Sequence, residues 1–162
     1  MTVEPMNIRP STSSDVPSLV KVADASELFQ GEMLPELISG YLSGDKSHDV
    51  WLTYEVDGEA AGFCFAVPEK LTDGTWNMLA IAVHPAHQGR GAGSALVKHL
   101  EATLLARGQR VLIADTSGTP EFKQTREFYA KNGYSEEARI RDFWAAGNDK
   151  VVFWKLLSQS AG

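Results

Sequence analysis

Three glycines at alternate positions, Gly89, Gly91 and Gly93, stand between an apolar run and a leucine stripe. This junction limits the possible folds more than any other stretch of the chain. Before it, Trp76 to Val83 reads as a buried strand that ends at His84-Pro85. After it, a helix runs to about Arg107, with Leu96, Leu100 and Leu104 at i, i+4 and i+8 and Gly108 as its stop. The next strand, Val111 to Ala114, is expected to lie parallel to the first through a right-handed crossover. Without Cβ atoms the loop is free to turn its N–H groups toward one point, and the helix N-terminus adds about half a positive charge. The segment is therefore expected to be an anion cradle suited to a pyrophosphate.

Two familiar phosphate loops fit it poorly. A P-loop ends in Gly-Lys-Ser/Thr, and Gly93-Ser94-Ala95 has no lysine. A dinucleotide fingerprint needs its third glycine where Ser94 stands and a tight turn straight off the strand, whereas His84 to Gly89 intervene here.

The remaining elements follow from periodicity and turn chemistry. Met6 to Arg9 suits a short edge strand. Ser13-Ser14-Asp15 before Val16-Pro17 starts a helix that continues to Ala25. Leu34 to Leu42 is a second helix stopped by Gly44, with Leu34, Leu37, Ile38, Tyr41 and Leu42 at helical spacing. Ser26 to Met33 between them is a loop whose Phe29 is exposed enough to line a pocket. From Val50 the period changes to two: Val50, Leu52, Tyr54 and Val56 alternate, Asp57-Gly58 makes a hairpin turn, and Ala60 to Val67 returns. Phe122 to Asn132 is a helix ending at Gly133, and Tyr134 to Phe143 and Val151 to Trp154 are the last strands. The order β-α-α-β-β-β-α-β-α-β-β specifies an α/β (α+β) fold with a mixed, mostly antiparallel six- to seven-stranded sheet flanked by helices.

At 162 residues the chain is expected to form a single domain over 1–162, large enough for a core of its own. The net charge of −6 argues against nucleic-acid or anionic-membrane partners, whose binding draws on clustered Lys and Arg. The longest apolar run, Met78 to Val83, is far short of the ~20 residues a membrane span needs. Cys64 is the only cysteine, alternates with Phe63 and Phe65, and reads as a buried inert thiol. With no basic and apolar leader in Met1 to Pro10, the expected location is cytoplasmic. His84-x-x-His87 has no further Cys or His close enough in sequence to complete a metal site, so no metal is expected.

Two motifs carry a resemblance. Gln88-Gly-Arg-Gly-Ala-Gly93, preceded by Val83-His84-Pro85, resembles the Gln/Arg-x-x-Gly-x-Gly/Ala loop of the GCN5-related N-acetyltransferase (GNAT) superfamily. Downstream, Phe128-Tyr129-Ala-Lys-Asn-Gly-Tyr134 is similar to that family's Phe-Tyr-x-x-x-Gly-Phe/Tyr helix end. The element order from Met6 to Leu157 agrees, so the resemblance covers nearly the whole chain. It implies an acetyl-CoA-dependent N-acetyltransferase acting on a primary amine of a small molecule or peptide; either a monomer or a homodimer is compatible with the sequence. It implies that Gln88, Gly89, Arg90, Gly91, Ala92, Gly93 and Ser94 meet the pyrophosphate. The pantetheine arm would add like a strand along Leu79 to Val83, meeting Ile81, Ala82 and Val83.

The resemblance also suggests the chemistry. Tyr129 is expected to protonate the departing CoA sulfur, with a packing role on the helix as the alternative. Where the histone-acetylating branch carries a glutamate, six positions before Val83, this chain has Asn77, which orients water but takes up no proton. Asp115 is expected either to hold the amine or a water, or to form a turn with the backbone of Ser117. Glu69, Asp73, Glu32 and Glu36 read singly as solvated charges and together as a lure for a cationic acceptor. Asp142-Phe143-Trp144 and Asp149-Lys150 read as an acid-aromatic turn between the last strands. A non-catalytic acyl-CoA-binding module is the alternative from another functional class.

Overall fold

The computed structural model describes residues 6–46 and 48–158. Its strands are β1 (Asn7–Pro10), β2 (Val50–Val56), β3 (Glu59–Pro68), β4 (Thr75–Val83), β5 (Val111–Ser117), β6 (Ser135–Ala145) and β7 (Asn148–Leu156). Its helices are α1 (Val16–Ala25), α2 (Leu34–Ser43), α3 (Ala92–Ala106) and α4 (Lys123–Lys131), in the order expected from the sequence. The strands form a seven-stranded sheet ordered β1-β2-β3-β4-β5-β7-β6. The pairs β1–β2, β2–β3, β5–β7 and β6–β7 are antiparallel, and β4–β5 is parallel as the crossover required. The chain divides into two compact units, one of residues up to Val67 with Ala80–Ala102, the other of Pro68–Leu79 with the residues from Thr103 onward. No helix among the described residues is long and apolar enough to cross a membrane.

In the first unit the helical spacing of Leu19, Val22 and Ala23 on α1 and of Leu34 and Ile38 on α2 brings all five into the core. Each large aliphatic side chain so buried contributes about 1.5–3 kcal/mol. Leu37 and Leu42, which share the helical pattern, are instead exposed. Trp51 and Phe65, paired across β2 and β3, stack with centroids 4.0 Å apart. Phe29 is half-buried, edge-on to Phe63 with centroids 6.4 Å apart. The hairpin turn uses Asp57 (φ 52°) and Gly58 (φ 79°), the left-handed pair that matches strand twist. Cys64 is fully buried, and burial pushes its thiol up to about 12.

A charged network joins β1 to the start of α1. Arg9 grips Asp15 with two bonds of 2.8 Å and reaches Glu55 at 2.9 Å. The Thr12 N–H donates to the same Asp15 carboxylate at 2.8 Å, capping the 3₁₀ turn Ser13–Asp15 that leads into α1. The Arg9 hydrogen bonds hold the Asp15 carboxyl below its usual range against the opposing effect of burial.

In the second unit, β5 runs to Ser117, past the expected end at Ala114, because its antiparallel ladder with β7 continues to Ser117↔Lys150. The last two strands are also longer than expected. Asp142-Phe143-Trp144 lies within β6 and Asp149-Lys150 within β7, so the turn between the strands is Ala146-Gly147. Helix α4 begins after a 3₁₀ turn at Pro120–Phe122, which places Phe122 outside it. Lys155 Nζ donates to the Asn132 carbonyl at 3.0 Å, satisfying one of the acceptors left at the end of α4.

Candidate active site

The glycine loop belongs to the first unit. After Val83 the chain makes a 3₁₀ turn, Pro85–His87, in which His84 Nδ1 accepts from the Ala86 N–H at 3.1 Å. Gln88 Nε2 then donates to the Val83 carbonyl at 2.8 Å. The motif glutamine is therefore a strap that ties the loop to the end of its strand, and its own N–H closes the 3₁₀ turn onto the Pro85 carbonyl at 3.4 Å. Gly89 and Gly91 have φ values of 80° and 83°, a conformation other residues adopt at a cost of about 1–2 kcal/mol. Gly93 differs from the alternating pattern, since it already lies inside α3.

The first backbone bond of that helix runs from the Ala95 N–H to the Gly91 carbonyl, at 3.0 Å. The N–H groups of Ala92, Gly93 and Ser94 precede it, and helix geometry leaves them without intrahelical acceptors at the positive end of the dipole. On β4, Ala82 is buried while Ile81 and Val83 are half-buried on the opposite face, and Arg90 is exposed. The residues from Ile81 to Ser94 thus supply the strand, the turn and the amide cluster that an anionic cofactor with a peptide-like arm needs. Their neighbours His84 and His87 line a pocket of about 240 Å³ with Lys21 and Glu59. Among the described residues no group of three or more His, Cys, Asp or Glu is placed to hold a metal.

The polar residues expected for the chemistry lie in the second unit. The β4–β5 register sets Asn77 opposite Ile113, and Asp115 follows two residues later on the same face of β5. Asn77 is buried, and its Nδ2 donates to Glu69 Oε1 at 3.0 Å and to Asp115 Oδ2 at 3.4 Å. Lys150 Nζ, from β7, lies 3.3 Å from Asp115 Oδ2 and 4.4 Å from the centre of the Phe143 ring. Asp115 is mid-strand, so the turn expected around it does not form. Asn77 Oδ1 and Asp115 Oδ1 are buried and accept no hydrogen bond among the described residues.

Tyr129 is buried on α4, with ring centroids 5.2 Å from Phe153, 5.5 Å from Phe128 and 5.9 Å from Tyr134. Its ring therefore packs in an aromatic cluster, whereas Phe122, expected on the same helical face, is exposed. Two members of the polar cluster were not singled out by the sequence. Glu69 read as one solvated loop charge among four, and Lys150 as part of a turn. Only the closure of the β3–β4 turn and the β5–β7 register bring them to Asn77 and Asp115, and neither leaves a local spacing signal.

A sequence profile for the acetyltransferase (GNAT) domain matches residues 46–136, more than half of the chain. The chain belongs to the GNAT family of acetyltransferases. It is 27% identical over 161 residues to phosphinothricin N-acetyltransferase of Streptomyces viridochromogenes, an alignment covering 93% of this chain and 87% of that one. A crystal structure of a GNAT-family protein from Desulfovibrio desulfuricans superposes with a TM-score of 0.89 at 27% identity, over 95% of this chain and all of that one. The structure of YncA from Salmonella typhimurium, solved with its cofactor acetyl-CoA, shares the fold with a TM-score of 0.77 at 18% identity, over 98% of each chain.

Proposed function

We propose that this chain, acting as one catalytic domain, moves an acetyl group from acetyl-CoA directly to the primary amine of a small molecule or peptide. The observation that carries the reading is the amide cluster at the start of α3, opened by Gly89 and Gly91 and strapped to Val83 by Gln88. Pyrophosphate oxygens would accept from the N–H groups of Gly89 to Ser94, with Gln88 holding the loop in place, and the amides of the pantetheine arm would pair along Ile81 to Val83. Arg90 would add a positive charge at the rim.

The reaction forms a bond between the amine nitrogen and the acetyl carbon and breaks the bond from that carbon to sulfur. The nitrogen loses a proton and the departing thiolate gains one. The Val83 N–H would polarise the thioester oxygen, and the Tyr129 hydroxyl would supply the proton to sulfur. An alkylamine with a pKa near 10.4 is neutral only about once in a few thousand molecules at pH 7, so removal of its first proton needs assistance. Asn77 has no proton-accepting group at neutral pH and would serve by orientation. The carboxylates Glu69 and Asp115 give its surroundings the character that suits a cationic acceptor. The single buried thiol, Cys64, suits a reducing compartment such as the cytoplasm.

A melting scan with CoA, acetyl-CoA and NAD, followed by thiol release with an amine panel, tests the reading. A ligand at 100 times its Kd adds about 2.7 kcal/mol of stability, readily visible as a shift. CoA and acetyl-CoA should raise the melting temperature and NAD should not. The panel contains phosphinothricin, an aminoglycoside and a peptide with a free amino terminus. Binding of acetyl-CoA without thiol release from any amine would identify a binding module instead.

A further inference from the structure

Two carboxylates in the second unit, Asp115 and Glu69, compete for the task of accepting the amine proton, and their hydrogen bonds, including those from Asn77 between them, rank them. Asn77 has both N–H groups committed, one to Glu69 and one toward Asp115, so its orientation is set by two carboxylates and its Oδ1 is turned away from both. Asp115 carries its charge against Lys150. Its Oδ2 receives Lys150 and Asn77, and its Oδ1 is walled off from water. A carboxylate held in this way is part of the scaffold, because a base has to reach the proton it removes.

Glu69 differs on each count. It is half-buried, makes no ion pair among the described residues, and commits only Oε1, to Asn77. Its backbone is fixed at both ends: its N–H donates to the Thr75 carbonyl at 2.8 Å, and its carbonyl accepts from Thr72 Oγ1 at 2.8 Å. Through Asn77 it is linked to the Asp115–Lys150 pair, and its own turn carries Lys70 and Asp73, the carbonyl of Asp73 accepting from Arg110 Nε.

We propose that Glu69 is the catalytic base of the acetyl transfer, with Asn77 as the positioning residue that holds its Oε1 so that Oε2 meets the amine. The inference rests on the acetyltransferase reading given above. The ammonium form of the acceptor gives a proton to Oε2, the freed lone pair forms the N–C bond, and the C–S bond breaks. The thiolate receives a proton from the Tyr129 hydroxyl, the second nitrogen proton leaves as the amide forms and reprotonates the tyrosinate, and Glu69 returns its own proton to solvent. The carboxylate that this chemistry needs stands in the turn that precedes β4, and a hydrogen bond from Asn77 on the strand keeps the two in register.

The test compares Glu69→Gln and Glu69→Asp with the unaltered protein in thiol release across pH, using a primary amine from the panel. Glutamine keeps an oxygen to accept from Asn77 but takes up no proton. Glu69→Gln should lower kcat about 100-fold at pH 7 and recover toward high pH, where the amine is already neutral. Its KM for acetyl-CoA and the melting shift caused by acetyl-CoA should remain within twofold of the original. Glu69→Asp should lower kcat and keep the original pH profile. A Glu69→Gln profile that overlays the original, or one lowered equally at every pH, overturns the proposal and leaves the acetyltransferase reading standing. Should Glu69→Gln fail to fold, an unchanged kcat in Glu69→Asp overturns it. An unaltered protein that binds acetyl-CoA but releases thiol with no amine overturns both.

Discussion

Lys150 sits 3.3 Å from Asp115 and 4.4 Å above the Phe143 ring, so one cation neutralises a mostly buried carboxylate and covers an aromatic face. Replacing Lys150 by Met keeps the stem and removes the charge, leaving Asp115 unpaired at 16% exposure. The loss should be about 2 kcal/mol, below that for a fully buried pair because both groups retain some solvent. Urea unfolding measures it. The double variant Lys150→Met, Asp115→Asn should be less destabilised than the sum of the two single variants.

Gly91→Ala isolates the backbone requirement of the cradle. A Cβ there meets nothing closer than Met6 Cε at 4.0 Å, so the cost is conformational, about 1–2 kcal/mol at a φ of 83°. The variant should melt earlier, and CoA should raise its melting temperature less than it raises that of the original. An equal CoA shift would separate the glycine's folding role from any part in binding.

Tyr129→Phe and Tyr129→Ala divide packing from chemistry. Phenylalanine keeps the ring contacts with Phe153, Phe128 and Tyr134 and loses only the hydroxyl. Its kcat should fall at least tenfold with acetyl-CoA affinity retained. Alanine should cost about 3–5 kcal/mol of stability through the cavity it leaves. An unchanged kcat in Tyr129→Phe would make the residue a core aromatic alone.

Cys64 should be silent in a disulfide-exchange assay at pH 8. Its thiol is fully buried and pushed up to about 12, so the folded protein contributes no background to measurements of released CoA. One thiol per chain should appear when urea is added. The folded group binds its proton more tightly than the unfolded one, so its stabilising contribution is complete below the unfolded pKa of about 8.5 and is lost as pH rises through the folded value.

Asp15 has the opposite sign. Arg9 holds its carboxyl below the ordinary range, so its contribution is present above the unfolded pKa of about 3.9 and is lost as acid brings the pH through the lower folded value. Asp15→Ala should destabilise at pH 7 by about 2–3 kcal/mol, since it removes the paired charge and the Thr12 cap together. The difference between variant and original should shrink as the pH is lowered toward 2, which acid unfolding curves will show.

The helix, strand and turn order was legible because its signals are local. Asp57-Gly58 announced the β2–β3 hairpin, and Gly89 and Gly91 announced the cradle, through backbone angles that few residues other than glycine adopt without strain. The i, i+4 spacing of Leu96, Leu100 and Leu104 marked the buried face of α3. Strand ends were less legible. β5 continues to Ser117 because a partner strand is there to pair with, and Asp115-Thr116-Ser117 taken alone has turn-forming composition.

The sequence by itself determined the order of elements, the glycine loop between strand and helix, and the two motifs that mark the family, all matters of short-range spacing and backbone freedom. Tertiary structure decided how the charges around Asn77 are partnered. Alternation along a strand states which face a side chain takes, but not which residue of another strand lies beside it. That choice belongs to register, and register set Lys150 opposite Ser117, diagonal to Asp115 and within reach of it, while turn closure put Glu69 against the Asn77 amide with one oxygen uncommitted.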